Sequence, residues 1–479
     1  MGPEKTSANT WRIFGFVLGL IVFLAIAFIP SPLHRIDGYG MRPALMAATA
    51  TLMAVWWFTE ALPIAWTACV PFLLFPLLDI YGEGPVEDAR RTAVSYVDAY
   101  IFLFLGGMAL GAAMEQWNLH RRIALHIMHA IGTDPRRLLL GMLVATAVVS
   151  MWISNTATAV MMVPIGFALI KQLEQAEGGR RLSGYGAALM LSIAYAANVG
   201  GIGTKIGSPT NSLFAGFLSE KLDYELGFVE YMIIGVPFVV LFVPVLWLVL
   251  WQVGKRDHPQ AQQGRDVLAR EIAALGPMSR GERWVAAVFG TAAVLWIFGD
   301  FIRPWFHLKG KHYEAWVAML AALFLVAIRG LSFRQMKRIP WGTLVLLGGS
   351  FALASGIEGS GLSAWLGQRL GAMVEWPEWQ QLLGVSVATV LLSGVASNTA
   401  TINVMLNVLP PSFPLLAAST LAASCDFALP AGTPPNAIVF GSGYVRMPTM
   451  MKVGVGLDAI AALAITGYSL VWIRHVFGG

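Results

Sequence analysis

Residues 138–170 read LLLGMLVATAVVSMWISNTATAVMMVPIGFALI and hold no charged side chain. As one straight helix, at about 1.5 Å per residue, that run would span roughly 50 Å. The hydrocarbon core of a bilayer is only about 30 Å thick. Both flanks are basic, with Arg136 and Arg137 before the run and Lys171, Arg180 and Arg181 after it. Basic flanks favour the cytoplasmic side. A segment too long to cross once, with both ends on one side, is expected to form a re-entrant hairpin. Its midpoint, Ser154-Asn155-Thr156, is the most polar tripeptide in the run and would sit at mid-membrane depth. Non-helical backbone is tolerated there only where it is buried in protein or lines a cavity.

The pentapeptide SNTAT returns at residues 397–401, inside a second charge-free run from 379 to 425. Leu105-Gly106-Gly107 and Leu347-Gly348-Gly349 precede the two motifs at nearly equal distances. Each leads into a Gly/Ala-rich helix that carries an acid, Glu115 or Glu358. Gly207-Ser208-Pro209-Thr210-Asn211 and Gly432-Thr433-Pro434-Pro435-Asn436 follow the motifs. Three landmarks in one order, twice, mark an internal repeat.

The chain has 479 residues, 57% of them apolar and 12% charged, with a mean hydropathy of +0.66. Soluble domains carry about 25% charged residues, so an all-α polytopic membrane protein is expected. The net charge of +5 lies in short loops and implies no nucleic-acid partner. Cys69 and Cys425 both lie in apolar segments, so no disulfide framework or metal cluster is expected.

Residues 11–30 have no convincing cleavage site and read as a first membrane helix, within 1–40. Residues 41–253 read as the first repeat, with a hairpin at about 137–172 and a broken helix at about 184–220. Within it, spans are expected at 41–61, 63–78, 99–113 (running on amphipathically to 129) and 228–253. Residues 254–283 are polar and dominated by positive charge, and read as a cytoplasmic linker. Residues 284–479 read as the second repeat, with a hairpin at about 379–411 and a broken helix at about 414–445. Spans are expected there at 284–301, 316–328, 342–370 and 453–473. Arg329, Arg334, Lys337 and Arg338 mark an inside loop. An odd number of crossings separates Leu105 from Leu347, so the repeats face opposite ways. The acidic flanks of the second hairpin, Glu375 and Glu378, agree with entry from outside. Inverted repeats with discontinuous helices meeting at the midplane are the architecture of secondary transporters.

Helix halves that stop mid-membrane expose unpaired N–H groups and partial positive charge at their N-termini. They are ready-made anion sites. The C-terminal ends of the incoming halves offer carbonyls to hard cations such as Na⁺. Prolines at the 207–211 and 432–436 breaks end intrahelical pairing and free further carbonyls. Two such sites related by a pseudo-twofold favour a small dicarboxylate over a compact anion such as sulfate. The blander alternative is that Ser, Asn and Thr only glue helices together; two copies beside two proline breaks argue against it. The Gly106-Gly107 and Gly348-Gly349 pairs read as close-packing positions. Glu115 and Glu358 read as interfacial or structurally paired, and Glu60 as an acid near a helix end. No HExxH, GxSxG or intramembrane His/carboxylate cluster points to an enzyme. A passive channel would also break its helices, but two inverted hairpins favour alternating access.

At these residues, and at Trp56-Trp57-Phe58-Thr59-Glu60-Ala61-Leu62-Pro63 and GTPPNAIVFGSG (432–443), the chain resembles the divalent anion/sodium symporter family. That family contains bacterial di- and tricarboxylate transporters related to animal dicarboxylate and citrate carriers. The resemblance implies a homodimer in the bacterial cytoplasmic membrane, with a cytoplasmic N-terminus. It implies about eleven membrane helices and two re-entrant hairpins per protomer, and an elevator movement of a transport domain against a scaffold. It implies Na⁺-coupled import of C4 dicarboxylates such as succinate, malate or fumarate. Sodium-independent exchange, or sulfate, citrate or tartrate as cargo, remain open on the same fold.

By the same resemblance, the substrate-contacting residues are Ser154, Asn155, Thr156, Ser397, Asn398 and Thr399 at the tips. Ser208, Thr433 and Pro434 contribute from the unwound loops. Ser150, Asn155 and Gly207 match one sodium site; Ser393, Ala396, Asn398 and Gly432 match the other. Lys205, Thr210, Asp426 and Ala431 depart from the family pattern. Lys205 is expected near the first cation site, where its ammonium partly replaces Na⁺, or paired with Asp426. The alternative is that it snorkels to an aqueous cavity.

Overall fold

The computed structural model describes residues 3–36, 38–257, 264–363, 365–366 and 375–477. Among them the regular structure is helical, with one isolated bridge between Ile36 and Gly40. Six of these helices are long and apolar enough to cross a membrane. A seventh candidate is the pair Arg280–Ile297 and Gly299–Phe306, bent by 74° at its break. The protein is therefore an all-helical, multi-pass membrane protein.

Helices α1 (Pro3–Phe28) and α2 (Arg42–Phe58) pack along each other. Phe16 stacks on Trp56 with ring centroids 4.9 Å apart, and the Trp56 indole donates to Phe16 O. The span expected at 63–78 is instead a short turn, Ile64–Thr67, followed by α3 (Val70–Leu78). Pro71 stands near the start of α3 and Pro76 inside it. Each proline lacks the N–H a continuing helix needs. After α4 (Pro85–Ser95) comes α5 (Ala99–Gln116). The expected run-on to 129 is interrupted at Asn118, which adopts a left-handed conformation, φ 58°. The amphipathic part is a separate helix, α6 (Leu119–Ile131).

The two arms of the first charge-free run are α7 (Pro135–Ser150) and α8 (Asn155–Ala176), which pack together. Next come α9 (Ser183–Gly200), α10 (Pro209–Lys221) and α11 (Phe228–Gly254). From Tyr185 to Gly200 every residue of α9 is buried. A helix apolar on all sides belongs in a core, and α9 packs on α7, α8 and α11.

The linker is more structured than its polarity implies. Part of it, 258–263, lies outside the described residues. Helix α12 (Gly264–Leu275) packs on α6 and α8. Helix α13 (Arg280–Ile297) begins inside the expected linker, because Ser279 caps it and Glu282 pairs with Arg122 at 2.5 Å. Helix α14 (Gly310–Ala327) packs against α5. The span expected at 342–370 ends early: α15 (Trp341–Gly359) stops before Gly361, whose φ is +81°. Leu370 lies outside the described residues. The second charge-free run forms α16 (Glu378–Val395), α17 (Asn398–Val408) and α18 (Phe413–Ala423). Helices α19 (Pro434–Phe440) and α20 (Met447–Tyr468) close the chain, the last continuing through a π turn at Ser469–Ile473.

The glycine pairs are packing positions. A Cβ on Gly106 would meet Ala318 at 2.5 Å, and one on Gly107 would meet Ile206 at 2.9 Å. At Gly348 and Gly349 it would run into Tyr96 and Ala68. Glu358 pairs with Lys221 at 3.5 Å, and Glu60 is exposed at the end of α2.

The halves interlock. Helix α10 packs on α17, and α19 packs on α8 and α9. The helices that begin at Pro209 and Pro434 therefore each touch a helix of the other charge-free run.

Candidate functional site

Each tripeptide opens a helix. Ser154 caps α8, with its Oγ accepting from Ala157 N at 3.4 Å; Ser397 caps α17, accepting from Ala400 N at 3.2 Å. Serine is favoured here because its side chain satisfies one of the orphan donors of the first turn. Beyond each break a proline starts the next helix. Pro209 follows Ser208 into α10, and Pro434 follows Thr433 into α19. Proline suits that first position, where no intrahelical N–H bond is lost.

One cavity of about 680 Å³ collects these ends. Its wall contains Ser154, Asn155, Thr156, Gly207, Ser208, Ser397, Asn398, Thr399, Gly432, Thr433 and Pro434. Helices α8, α10 and α17, of 22, 13 and 11 residues, all start there. Their aligned peptide dipoles place partial positive charge on the cavity. Ser150, Ser393 and Ala396 do not reach it; they are buried behind the tips.

Behind each tip the oxygens converge in the same way. Ser150 Oγ lies 2.9 Å from Asn155 Oδ1 and 2.7 Å from Ala197 O. Ser393 Oγ lies 2.9 Å from Asn398 Oδ1 and 2.7 Å from Ala423 O. A hydroxyl has one proton to donate, so each trio has more lone pairs than protons. Such a cluster suits a hard cation, which prefers oxygen ligands. Gly207 adds carbonyls: a Cβ there would meet Gly201 O at 2.5 Å and Met151 O at 2.9 Å.

Two asparagines tie the breaks. Asn211 Nδ2 donates to Gly201 O and Thr204 O, both at 2.7 Å. Asn436 Nδ2 donates to Asp426 O at 3.1 Å and Leu429 O at 3.0 Å. Both asparagines reach ten and seven residues back. This sets the register of the repeat and makes Asp426 the counterpart of Gly201.

Lys205 does neither thing expected of it. It is fully buried, so it does not snorkel, and its Nζ pairs with Glu314 at 2.7 Å rather than with Asp426. It also donates to Leu226 O. Its ammonium is thus committed to Glu314 on α14. Glu314 is the one acid in the apolar run 313–328, a signal available in the sequence but not used. Two further residues reach the cavity that the motifs do not mark. Asn198, buried in α9, lines the cavity and donates to Thr433 Oγ1 at 3.0 Å, linking the two breaks directly. Arg338 lines the far part of the cavity, beside Pro340 and Gly342. With Ser154, Glu115 and Gln335 it also lines a smaller adjoining cavity of about 70 Å³.

The family description "Sodium:sulfate symporter transmembrane region" matches residues 10–478. A Staphylococcus saprophyticus protein named sodium-dependent dicarboxylate transporter SdcS is 34% identical over 492 residues, covering 98% of this chain and 93% of its own length. Its namesake from Staphylococcus aureus strain USA300 is 34% identical over 495 residues, covering 96% and 91%. Among solved structures, the Alcanivorax borkumensis YdaH transporter matches with a TM-score of 0.59 at 15% identity, over 98% of this chain and 99% of its own. Neisseria gonorrhoeae MtrF matches with a TM-score of 0.58 at 11% identity, over 97% and 94%. At those identities the two structures speak to the fold alone.

Proposed function

This chain belongs to the sodium:sulfate symporter family, a family of transporters and not of enzymes, and from that premise we propose that it imports small dicarboxylates together with Na⁺. One observation carries the proposal: both SNT tripeptides stand at helix N-termini on the wall of a single cavity. Each tip takes one carboxylate of a C4 substrate, through Ser154, Asn155 and Thr156 on one side and Ser397, Asn398 and Thr399 on the other. Ser208, Thr433 and Pro434 complete the wall. The oxygen clusters behind the tips hold the coupling ions: Ser150, Asn155 and Gly207 at the first, Ser393, Ala396, Asn398 and Gly432 at the second. The relatives named for sodium-dependent dicarboxylate transport support both the anion and the cation.

The architecture we propose is a pair of inverted repeats, 41–253 and 284–479, with α7–α8 and α16–α17 as re-entrant hairpins. Counting interrupted segments as crossings gives about eleven per protomer. The matched hydrogen bonds behind the tips support the repeat. The cavity extends from the tips to Arg338, on the loop with Arg334 and Lys337. Positive loops favour the cytoplasm, so this is an inward-facing form of an elevator cycle, with the N-terminus also inside. The homodimer belongs to the proposal on family resemblance only; cross-linking in membranes tests it.

The test of function is uptake of labelled succinate into proteoliposomes. Saturable uptake driven by an inward Na⁺ gradient, and lost when Asn155 and Asn398 are both replaced by Ala, is the expected result. Equal uptake in Na⁺ and K⁺ would overturn the coupling. Competition by sulfate but not by malate or fumarate would overturn the substrate class.

A further inference from the structure

The second break carries a side chain that the framework does not use. Asp426 is 1% exposed, yet neither of its carboxylate oxygens meets a hydrogen-bond donor. Among the described residues it forms no ion pair. A buried carboxylate with no partner is among the most costly arrangements a protein can hold. It persists where a proton or a cation completes it, and the oxygen-rich surroundings decide for the cation.

Its surroundings say where that partner belongs. Asp426 Oδ2 lies directly against Gly432, so closely that a Cβ there would overlap it. Gly432 borders the cavity beside Ser397 and Asn398. The repeat register gives a second, independent placement. Asp426 is the counterpart of Gly201, and a Cβ on Gly201 would overlap Asn155 Oδ1, the tip oxygen of the first site. A side chain at this position therefore starts towards the oxygen cluster behind its tip. A second acid is close by: Asp458 Oδ1 accepts from Phe427 N at 2.8 Å. It adds negative field and no donor.

We propose that the Asp426 carboxylate is a direct ligand of the Na⁺ held behind the second tip, so that this site binds its cation with a full negative charge while the first uses neutral oxygens alone. The proposal rests on the sodium-coupled reading above. The bare carboxylate repels a dianion in the adjoining cavity, and bound Na⁺ cancels that repulsion.

The experiment is a Na⁺ titration of wild type and Asp426→Asn. It is read as thermal stabilisation of the purified protein without substrate, and as succinate uptake. In Asp426→Asn the half-saturating Na⁺ concentration rises by about 10- to 100-fold, the range for losing a metal-supporting group. A folded Asp426→Asn variant with an unaltered Na⁺ titration overturns the proposal. If that variant does not fold, Asp426→Glu keeps the charge on a longer arm and shifts the Li⁺/Na⁺ preference; an unshifted preference overturns it equally. Wild-type uptake indifferent to Na⁺ sinks instead the sodium-coupled reading, so the two failures are told apart.

Discussion

The two tips share one hydrogen-bond plan and differ in one charge. Ser150 and Ser393 hold their asparagines at the same 2.9 Å and their backbone acceptors at the same 2.7 Å. Yet within the first break stands Lys205, paired with Glu314, and within the second stands Asp426, paired with nothing described. The plan is a backbone matter, set by serine caps, prolines and asparagine ties. The charge is a local addition, and its effect depends on whether a partner lies within reach. A positive charge answered by a glutamate is structural. A negative charge left open beside a cation cluster is free to bind.

The sharpest way to break this contrast is at Lys205. Removing one partner of a buried ion pair strands the other charge and costs about 3–5 kcal/mol. Lys205→Met is therefore expected to lose most of its stability in detergent, read by thermal or denaturant unfolding. Lys205→Met with Glu314→Met should recover most of it, because replacing both partners by apolar groups is often neutral. The sodium dependence of uptake by the double variant should match wild type. A changed dependence would return Lys205 to the cation site.

The asparagine ties come next. Asn211→Ala and Asn436→Ala each remove two hydrogen bonds to loop carbonyls. An unsatisfied buried group costs about 1–3 kcal/mol. The Asn211 bonds are shorter, 2.7 Å against 3.0 and 3.1 Å. Asn211→Ala should therefore be the more destabilising in a thermal melt. Equal or reversed losses would show that the loops are not held by these bonds.

A smaller effect is expected at the cavity's outer end. Arg338 is exposed and, among the described residues, makes no ion pair. A lone guanidinium in a cleft concentrates anions, and salt screens it. Arg338→Gln should raise the succinate KM by about tenfold or less in low salt, with little change in maximal uptake. The difference should shrink as ionic strength rises. A salt-independent change would mean that Arg338 acts by contact.

Much of this was legible in the chain itself. The SNT tripeptides stand out because polar side chains are expensive in an apolar run, and both of them line the one cavity. The serine caps and the prolines behind the breaks have local signatures. What escaped depends on distance. The Lys205–Glu314 pair joins residues 109 apart in sequence, and the Asn198–Thr433 bond joins residues 235 apart. Hydropathy also reads 63–78 as one span, although its longer helix starts only at Val70, with Pro71 in the first turn. It runs 342–370 together as well, although the helix ends at Gly359 and Gly361 turns the chain with φ +81°.

The smallest effect separates framework from charge most cleanly. Ser154 and Ser397 make the same cap at the two tips, and both line the cavity. An N-cap serine replaced by alanine typically costs about 1 kcal/mol. Ser154→Ala and Ser397→Ala should thus lower stability by nearly equal, small amounts in thermal melts without Na⁺. Added Na⁺ stabilises wild type and both variants by mass action, and leaves the gaps unchanged wherever the Na⁺ affinity is unchanged. A gap that widens with NaCl therefore marks a cap whose loss has weakened the cation cluster behind it. If the charge of Asp426 holds the second cation, that site tolerates the loss of its cap better, and saturating NaCl should widen the Ser397→Ala gap less than the Ser154→Ala gap. Equal widening of both would mean that the two tips hold their cations alike, and that the unpartnered carboxylate makes no difference between them.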